Sequence, residues 1–115
     1  MTGAAAGEVL RAIAVTTAAR AAVLPNVSTV IESGVPGFDV SVWYGVFAAA
    51  GTPQPIVQKL NAEFIRAMNV PEVKKQIEAS GYQVVGSTPA ELDSHVRAEI
   101  PRWARVVKGA GVTAQ

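Results

Sequence analysis

The stretch VWYGVFAAAGTPQPIVQKL, residues 42–60, joins an apolar run directly to the start of a helix. From Val40 to Ala48 both alternate sets of side chains are mostly apolar, so both faces of an extended strand would be apolar here. Such a strand is typical of a sheet that helices cover on each side. Gly51 ends the run, and Thr52 and Pro53 provide an N-cap and a first helical residue. The stretch therefore predicts an α/β fold.

Further elements are predicted on both sides of this stretch. Glu8–Val15 is a short apolar run and is predicted as a first strand, and Tyr82–Val85 as a brief third one. Between the first two strands, Thr29 stands three residues before Glu32, a spacing that predicts a capped helix of little more than one turn. The resulting sheet is small, with about three strands, and its edges need cover.

Three longer helices are predicted from apolar residues at helical spacing. The second begins at Pro71 and ends at Gly81, and the third begins with the capping box Thr88–Glu91 and contains Pro101, which predicts a kink. The positions expected to be buried are Ile56, Leu60, Phe64 and Met68 in the first helix, Val73 and Ile77 in the second, and Leu92, Val96, Ile100, Trp103 and Val107 in the third.

Composition narrows the classes of function. The 115 residues suit one domain or a piece of one, and a net charge of +1 from scattered basic residues disfavours nucleic acid and anionic membranes. Apolar residues make up 50% and charged ones 17%, which predicts an apolar face that needs a partner. Cysteine is absent, no apolar run is long enough to span a membrane, and the amino end does not have the pattern of a signal peptide.

The residues offer little for catalysis. His95 is the only histidine, and no acidic residue is spaced to orient it as a base or metal ligand. Glu91 and Asp93 point away from each other on one helix, and phosphate-binding glycine motifs are absent. We therefore predict no catalytic residue, no metal site and no cofactor.

Four residues are candidates for ligand binding. Trp43 and Tyr44 are adjacent on the predicted strand and face opposite sides, so one can pack while the other reaches a cleft. Thr16 and Thr17 follow the first strand, at the carboxyl end where open α/β sheets present ligands. The alternative for all four is that they simply pack.

Four segments in order carry a family resemblance: LRAIAVTTAAR (10–20), LPNVSTVIESGVPGF (24–38), VWYGVFAAAGTPQPIVQKLNAEF (42–64), and the ending STPAEL followed by IPRWARVVKGAGV. Together they resemble the tripartite tricarboxylate transporter substrate-binding proteins, also called Bug receptors, from about residue 8 to 112. The resemblance implies a part of a type II periplasmic-binding-protein (Venus flytrap) fold. Residues 1–38 then resemble the last strand and crossover of lobe two, and residues 39–115 the carboxyl-terminal part of lobe one.

The same resemblance implies a function. In the full-length protein, two lobes would close on a small organic carboxylate and deliver it to membrane transporter subunits from the periplasm. A second hypothesis is a truncated, stand-alone domain that binds no solute and forms a homo-oligomer or a domain-swapped dimer through exposed sheet edges. An enzyme is the least favoured hypothesis, because the residues supply so little chemistry.

Overall fold

The computed structural model describes residues 10–112, and helices are the regular elements of that range. These are α1 (Gln54–Met68), α2 (Pro71–Ala79) and α3 (Pro89–Gly109). None of the helices in the described range is long and apolar enough to cross a membrane. The chain divides into two compact units: Met1–Tyr44 with Ala67–Val84, and Gly45–Arg66 with Val85–Gln115.

In the first unit, the only β-type pairing within residues 10–112 is a parallel bridge between Val15 and Thr29. The Val15 N–H donates to Ser28 O at 2.9 Å, and the Val30 N–H donates to Val15 O at 3.0 Å. Thr16, the residue after Val15, accepts at its O from the Val40 N–H at 2.9 Å. The backbone before and after the Thr29 turn is therefore tied to the chain around Val15.

The predicted three-stranded sheet is not confirmed. Residues 40–48 and 82–85 have no regular structure, and Glu8–Val15 contributes only the bridge at Val15, its first two residues lying outside the described range. A strand exists only where a neighbouring segment exchanges backbone hydrogen bonds with it. An apolar pattern predicts which faces a strand would bury, and it does not supply that neighbour.

The predicted short helix between the first two strands is a single capped turn. The Glu32 N–H donates to Thr29 Oγ1 at 3.0 Å, and the Thr29 N–H donates to Glu32 Oε2 at 2.7 Å, so the two residues cap each other. Gly34, with φ at 105°, closes the turn, and the Val35 N–H donates to Val30 O at 3.2 Å. The turn thus ends in a left-handed backbone conformation, which only glycine adopts easily.

Helix α1 begins as predicted near Pro53, but Thr52 does not cap it. The Thr52 hydroxyl donates to Ala49 O at 2.8 Å and closes the preceding turn. With Thr52 as the N-cap, the third helical residue would be Pro55, which has no N–H to donate to the hydroxyl. The first backbone bond of the helix runs from the Ile56 N–H to Pro53 O, at 2.9 Å.

The face that α1 packs differs from the predicted stripe by one position. Ile56, Leu60 and Phe64 are 50%, 45% and 45% exposed. The half-buried side chains of α1 are Val57, Asn61, Ile65 and Met68, so Met68 is the one position of the predicted stripe that is sheltered. Neighbouring positions point about 100° apart on a helix, and apolar residues occur on both faces, so the sequence alone does not tell which face packs. Helix α1 therefore packs one face and exposes the other.

Helix α2 has the predicted ends. Pro71 is its first residue, and Gly81, with φ at 83°, follows its C-cap. The Gly81 N–H donates to Glu78 O and the Tyr82 N–H donates to Ile77 O, the two bonds of a Schellman motif. Ile77 is half-buried as predicted, whereas Val73 is exposed.

Helix α3 begins with the predicted capping box between Thr88 and Glu91. The helix continues through Pro101 to Gly109 without interruption. Only the first part of the predicted stripe is sheltered: Leu92 and Val96 are half-buried, and Leu92 lies so close to Gly45 that a Cβ there would come within 3.3 Å of it. The remaining predicted positions are exposed, namely Ile100, Trp103 and Val107.

No apolar side chain among residues 10–112 is fully buried, and Thr29, 2% exposed, is the one side chain in this range that is. Many large apolar side chains of this range are exposed, among them Ile13, Val42 and Val85 at 83%, 76% and 82%. The chain thus leaves apolar surface uncovered, as its composition predicts.

Candidate functional site

The loop that carries Thr16 and Thr17 is held by the chain around residue 39. The Ala18 N–H donates to Asp39 Oδ1 at 3.1 Å, and Thr16 O accepts from the Val40 N–H. The Thr17 hydroxyl donates to Ala19 O at 2.7 Å, so its proton stabilises the loop while its oxygen can still accept a bond. Thr16 is exposed and Thr17 is half-buried.

Asp39 is a part of this loop that the sequence does not reveal. Its carboxylate accepts a bond from a backbone N–H in the loop where we predicted a ligand to bind. A ligand carboxylate that used the same N–H would compete with Asp39. The only signal in the sequence is an acidic residue directly after the turn GVPGF, which is common on protein surfaces.

Trp43 and Tyr44 lie at the end of the segment 39–44, which begins with Asp39. Trp43 is 37% exposed and Tyr44 is 77% exposed, so the two neighbours are sheltered to different extents. The Tyr44 ring meets the Tyr82 ring edge to face, with centroids 5.6 Å apart and planes at 75°. Their hydroxyl oxygens are 3.5 Å apart.

Tyr82 is the second residue that the sequence does not reveal as part of the site. It follows Gly81, the residue that ends α2, and the Schellman motif fixes its backbone. The hydrogen bond with Tyr44 and the proximity of that phenol raise the pKa of Tyr82 above its ordinary value, with a smaller contribution from desolvation.

The four predicted residues all belong to the first unit. The segment 39–44 links them: at its start it contacts the Thr16–Ala18 loop, and at its end it carries Trp43 and Tyr44. A backbone hydrogen bond joins Val40 to Thr16, and an aromatic contact joins Tyr44 to Tyr82. Three of the four candidates, Thr16, Thr17 and Tyr44, carry a hydroxyl group, and hydroxyls can donate hydrogen bonds to an anion.

An ion pair stabilises the turn next to this segment. Arg20 Nε donates to Glu32 Oε2 at 3.0 Å and Nη2 donates to Glu32 Oε1 at 3.0 Å, a bidentate contact. Arg20 Nη1 donates to Pro25 O at 3.3 Å. The hydrogen bonds from Arg20, and next the bond from the Thr29 N–H, lower the pKa of the Glu32 carboxyl below its ordinary value. Glu32 is therefore a charged structural group at neutral pH.

The second unit contains one sheltered carboxylate. The Glu99 side chain is 13% exposed, and it accepts bonds from Trp103 Nε1 at 2.8 Å and from Arg102 NH1 at 3.0 Å. These two partners, Trp103 first, lower the pKa of Glu99. Both donors belong to α3, so the Glu99 carboxylate stabilises that helix. No group of three or more metal-ligating side chains occurs among residues 10–112.

Comparison with known proteins identifies the class. Residues 4–112 match the family described as "Tripartite tricarboxylate transporter family receptor". The chain belongs to this family, which confirms the resemblance in the sequence. It is 41% identical over 105 residues to the "UPF0065 protein in the TAR-I ttuE-ttuC' intergenic region" of Agrobacterium vitis, which covers 89% of this chain and 30% of that protein. It is 35% identical over 102 residues to Protein BugT of Bordetella pertussis, covering 89% and 31%.

Solved structures agree with this assignment. The chain is similar to the periplasmic binding protein BugD with a TM-score of 0.77 and 36% identity, over 89% of this chain and 35% of BugD. It is similar to R. palustris Rpa4515, solved with adipate, with a TM-score of 0.73 and 38% identity, over 85% of this chain and 33% of that one. The chain therefore has part of a periplasmic-binding-protein fold, and it spans about a third of the length of these relatives.

Proposed function

We propose that this chain is the carboxyl-terminal portion of a solute-binding receptor that captures a small organic carboxylate in the periplasm. The observation that carries the proposal is the similarity of the chain to an adipate-bound structure at 38% identity. The membrane partner in this proposal is a tripartite tricarboxylate transporter, which the name of the family supports. The role is binding and transfer, with no catalytic step and no cofactor.

The proposed place of the chain in a receptor follows the sequence. Residues 1–38 provide the last strand and crossover of lobe two, and residues 39–115 provide the carboxyl-terminal part of lobe one. The compact units of this chain have other boundaries, because Ala67–Val84 groups with the amino-terminal residues. Our assignment concerns the longer protein, in which the uncovered apolar faces of this chain would contact the rest of the receptor.

Within this proposal, Thr16, Thr17, Trp43 and Tyr44 contact the solute. Thr16 and Tyr44 have exposed side chains, and hydroxyl groups donate strong hydrogen bonds to a carboxylate. Trp43 is partly sheltered and offers an apolar ring for the carbon chain of the acid. This combination suits a small acid with an aliphatic part.

Isothermal titration calorimetry of the chain with adipate, shorter dicarboxylates and aromatic acids tests this function. We expect a saturable heat with at least one dicarboxylate and none with adipamide, the neutral diamide that has the same carbon chain. The absence of heat across the whole panel would remove solute binding by this chain.

A second candidate function is self-association without solute binding. The observation that favours it is the exposure of large apolar side chains in the described range, among them Ile13, Val42 and Val85, which are 83%, 76% and 82% exposed. Apolar surface of this kind marks a contact with another protein surface. Light scattering over a range of concentrations distinguishes the candidates, because a monomer at all concentrations contradicts a homo-oligomer or a domain-swapped dimer.

A further inference from the structure

Tyr82 and Tyr44 present two hydroxyl groups at one point of the first unit. The oxygens are 3.5 Å apart and the rings meet edge to face at 75°. Tyr44 is 77% exposed and Tyr82 is 47% exposed, so solvent and solutes reach the pair. The two residues are 38 positions apart in the sequence, and only folding brings their hydroxyls together.

The backbone before Tyr82 is fixed. Gly81 takes a left-handed conformation and the Tyr82 N–H donates to Ile77 O at 3.2 Å, so the Cα–Cβ bond of Tyr82 has a fixed direction at the end of α2. A tyrosine side chain has few rotatable bonds, so holding two of them in this arrangement costs little conformational entropy.

The pair has hydrogen-bonding capacity that it does not use internally. Two hydroxyls can form only one bond with each other, so one proton remains for an outside acceptor. The 3.5 Å separation is long compared with the 2.7–2.8 Å typical of hydroxyl pairs, so the internal bond is weak. When this weak internal bond opens, a carboxylate can accept from both hydroxyls, and such charge-assisted bonds are about twice as strong as neutral ones.

We propose that Tyr82 joins Tyr44 to form a two-hydroxyl clamp for one carboxylate group of an organic acid. This inference rests on the proposed function and adds to it a residue, Tyr82, and the group of the solute that the pair recognises. A tyrosine phenol is in the protonated, donating form at neutral pH, because its ordinary pKa is about 10. An exposed site with two such bonds gives a dissociation constant on the order of 1 mM.

Nuclear magnetic resonance tests the clamp directly, because Tyr44 and Tyr82 are the only two tyrosines of the chain. Selective labelling of tyrosine with ¹³C at the phenol carbon Cζ gives one signal from each. We expect both signals to move with a common dissociation constant as adipate is added, and neither to move with adipamide. Signals that stay in place at saturating adipate would overturn the clamp.

Substitutions test whether the Tyr82 hydroxyl itself contributes to adipate binding. Tyr82→Phe keeps the ring and removes only the hydroxyl, and we expect it to weaken adipate binding about tenfold, as read from the Tyr44 signal. The matched control is Ser80→Ala, which removes a nearby hydroxyl that donates to Gln76 O at 3.0 Å, and it should leave the affinity unchanged. Equal effects of the two substitutions would contradict the clamp.

The two proposals fail in different ways. If calorimetry detects adipate binding but Tyr82→Phe binds as tightly as the wild type, the clamp is wrong and the proposed receptor function remains. If neither calorimetry nor the tyrosine signals respond to any acid, both are wrong for this chain. Circular dichroism of each variant shows that the helices are retained, so a loss of binding can be attributed to the hydroxyl.

Discussion

Thr29 and Glu32 cap each other through two reciprocal hydrogen bonds, of 2.7 and 3.0 Å, in a turn whose threonine is the most buried side chain described. Thr88 and Glu91 have the same relationship at the start of α3, where both residues are exposed. One local motif therefore occurs in two environments. The difference in burial predicts that losing the cap lowers the free energy of unfolding more at Thr29 than at Thr88.

Thr29→Val removes the oxygen that accepts the Glu32 N–H and keeps the volume of the side chain. The N–H is then left without a partner in a sheltered turn, so we expect the free energy of unfolding to fall by about 1–2 kcal/mol. Thr88→Val is the matched control, and it should cost about 0.5 kcal/mol because water can replace the lost acceptor. Urea titrations followed by circular dichroism measure both, and equal costs would contradict the role of burial.

The Arg20–Glu32 ion pair makes the stability of the first turn depend on pH. Because the folded state lowers the pKa of Glu32, chiefly through the Arg20 hydrogen bonds, the ionised carboxylate contributes stability above its unfolded pKa. This contribution is lost as the pH falls through the lowered folded pKa. We expect the Glu32 carboxyl carbon, followed by NMR, to titrate below the ordinary range of a glutamate.

Glu32→Gln is the control for this pH dependence. It removes the titrating group, so stability should change less between neutral and acidic pH than in the wild type. The exposed pair Arg97–Asp93, with atoms 2.7 Å apart on α3, provides a second comparison, since Asp93→Asn leaves the first turn intact. An unchanged acid response in Glu32→Gln would show that other carboxylates cause it.

Local signals in the sequence predicted local structure well. The capping box at Thr88, the proline at the start of α2 and the glycine at its end each depend on neighbours within a few residues. The sheet and the packed face of α1 depend on distant segments. For the same reason the sequence identified Tyr44 as a candidate but gave no signal for Tyr82, because a pairing across 38 positions has no local pattern.

Gly81 is required for its backbone conformation and not for space. Its φ is 83°, and a Cβ there would lie 3.6 Å from Val23 Cγ2, an ordinary contact. Gly81→Ala should therefore cost about 1 kcal/mol, from backbone strain alone. Gly109→Ala is the control: Gly109 is helical with nothing within 4 Å of a Cβ, so alanine should stabilise α3 by a few tenths of a kcal/mol. Urea titrations compare the two variants, and a loss for both would contradict this reasoning.

Helix α1 allows the packed and exposed apolar faces to be tested separately. Ile65 is half-buried and lies beside Gly86, where a Cβ would come within 3.6 Å of Ile65 Cγ1, whereas Leu60 is 45% exposed. Ile65→Ala should lower the free energy of unfolding by about 1–2 kcal/mol, because it removes partly buried methyl groups. Leu60→Lys should change it by less than about 0.5 kcal/mol, since nearly half of the residue is already in water and the methylene stem of lysine can cover the same surface.

For association with another protein surface, we expect the opposite ranking of the same two variants, with Leu60→Lys having the larger effect. If the exposed face of α1 is where a second copy or the rest of a receptor binds, a lysine at position 60 places an unpaired charge in that contact. Sedimentation velocity should then show Leu60→Lys to be more monomeric than the wild type, while Ile65→Ala associates at least as strongly. A Leu60→Lys chain that associates like the wild type would exclude this face of α1 as the contact surface.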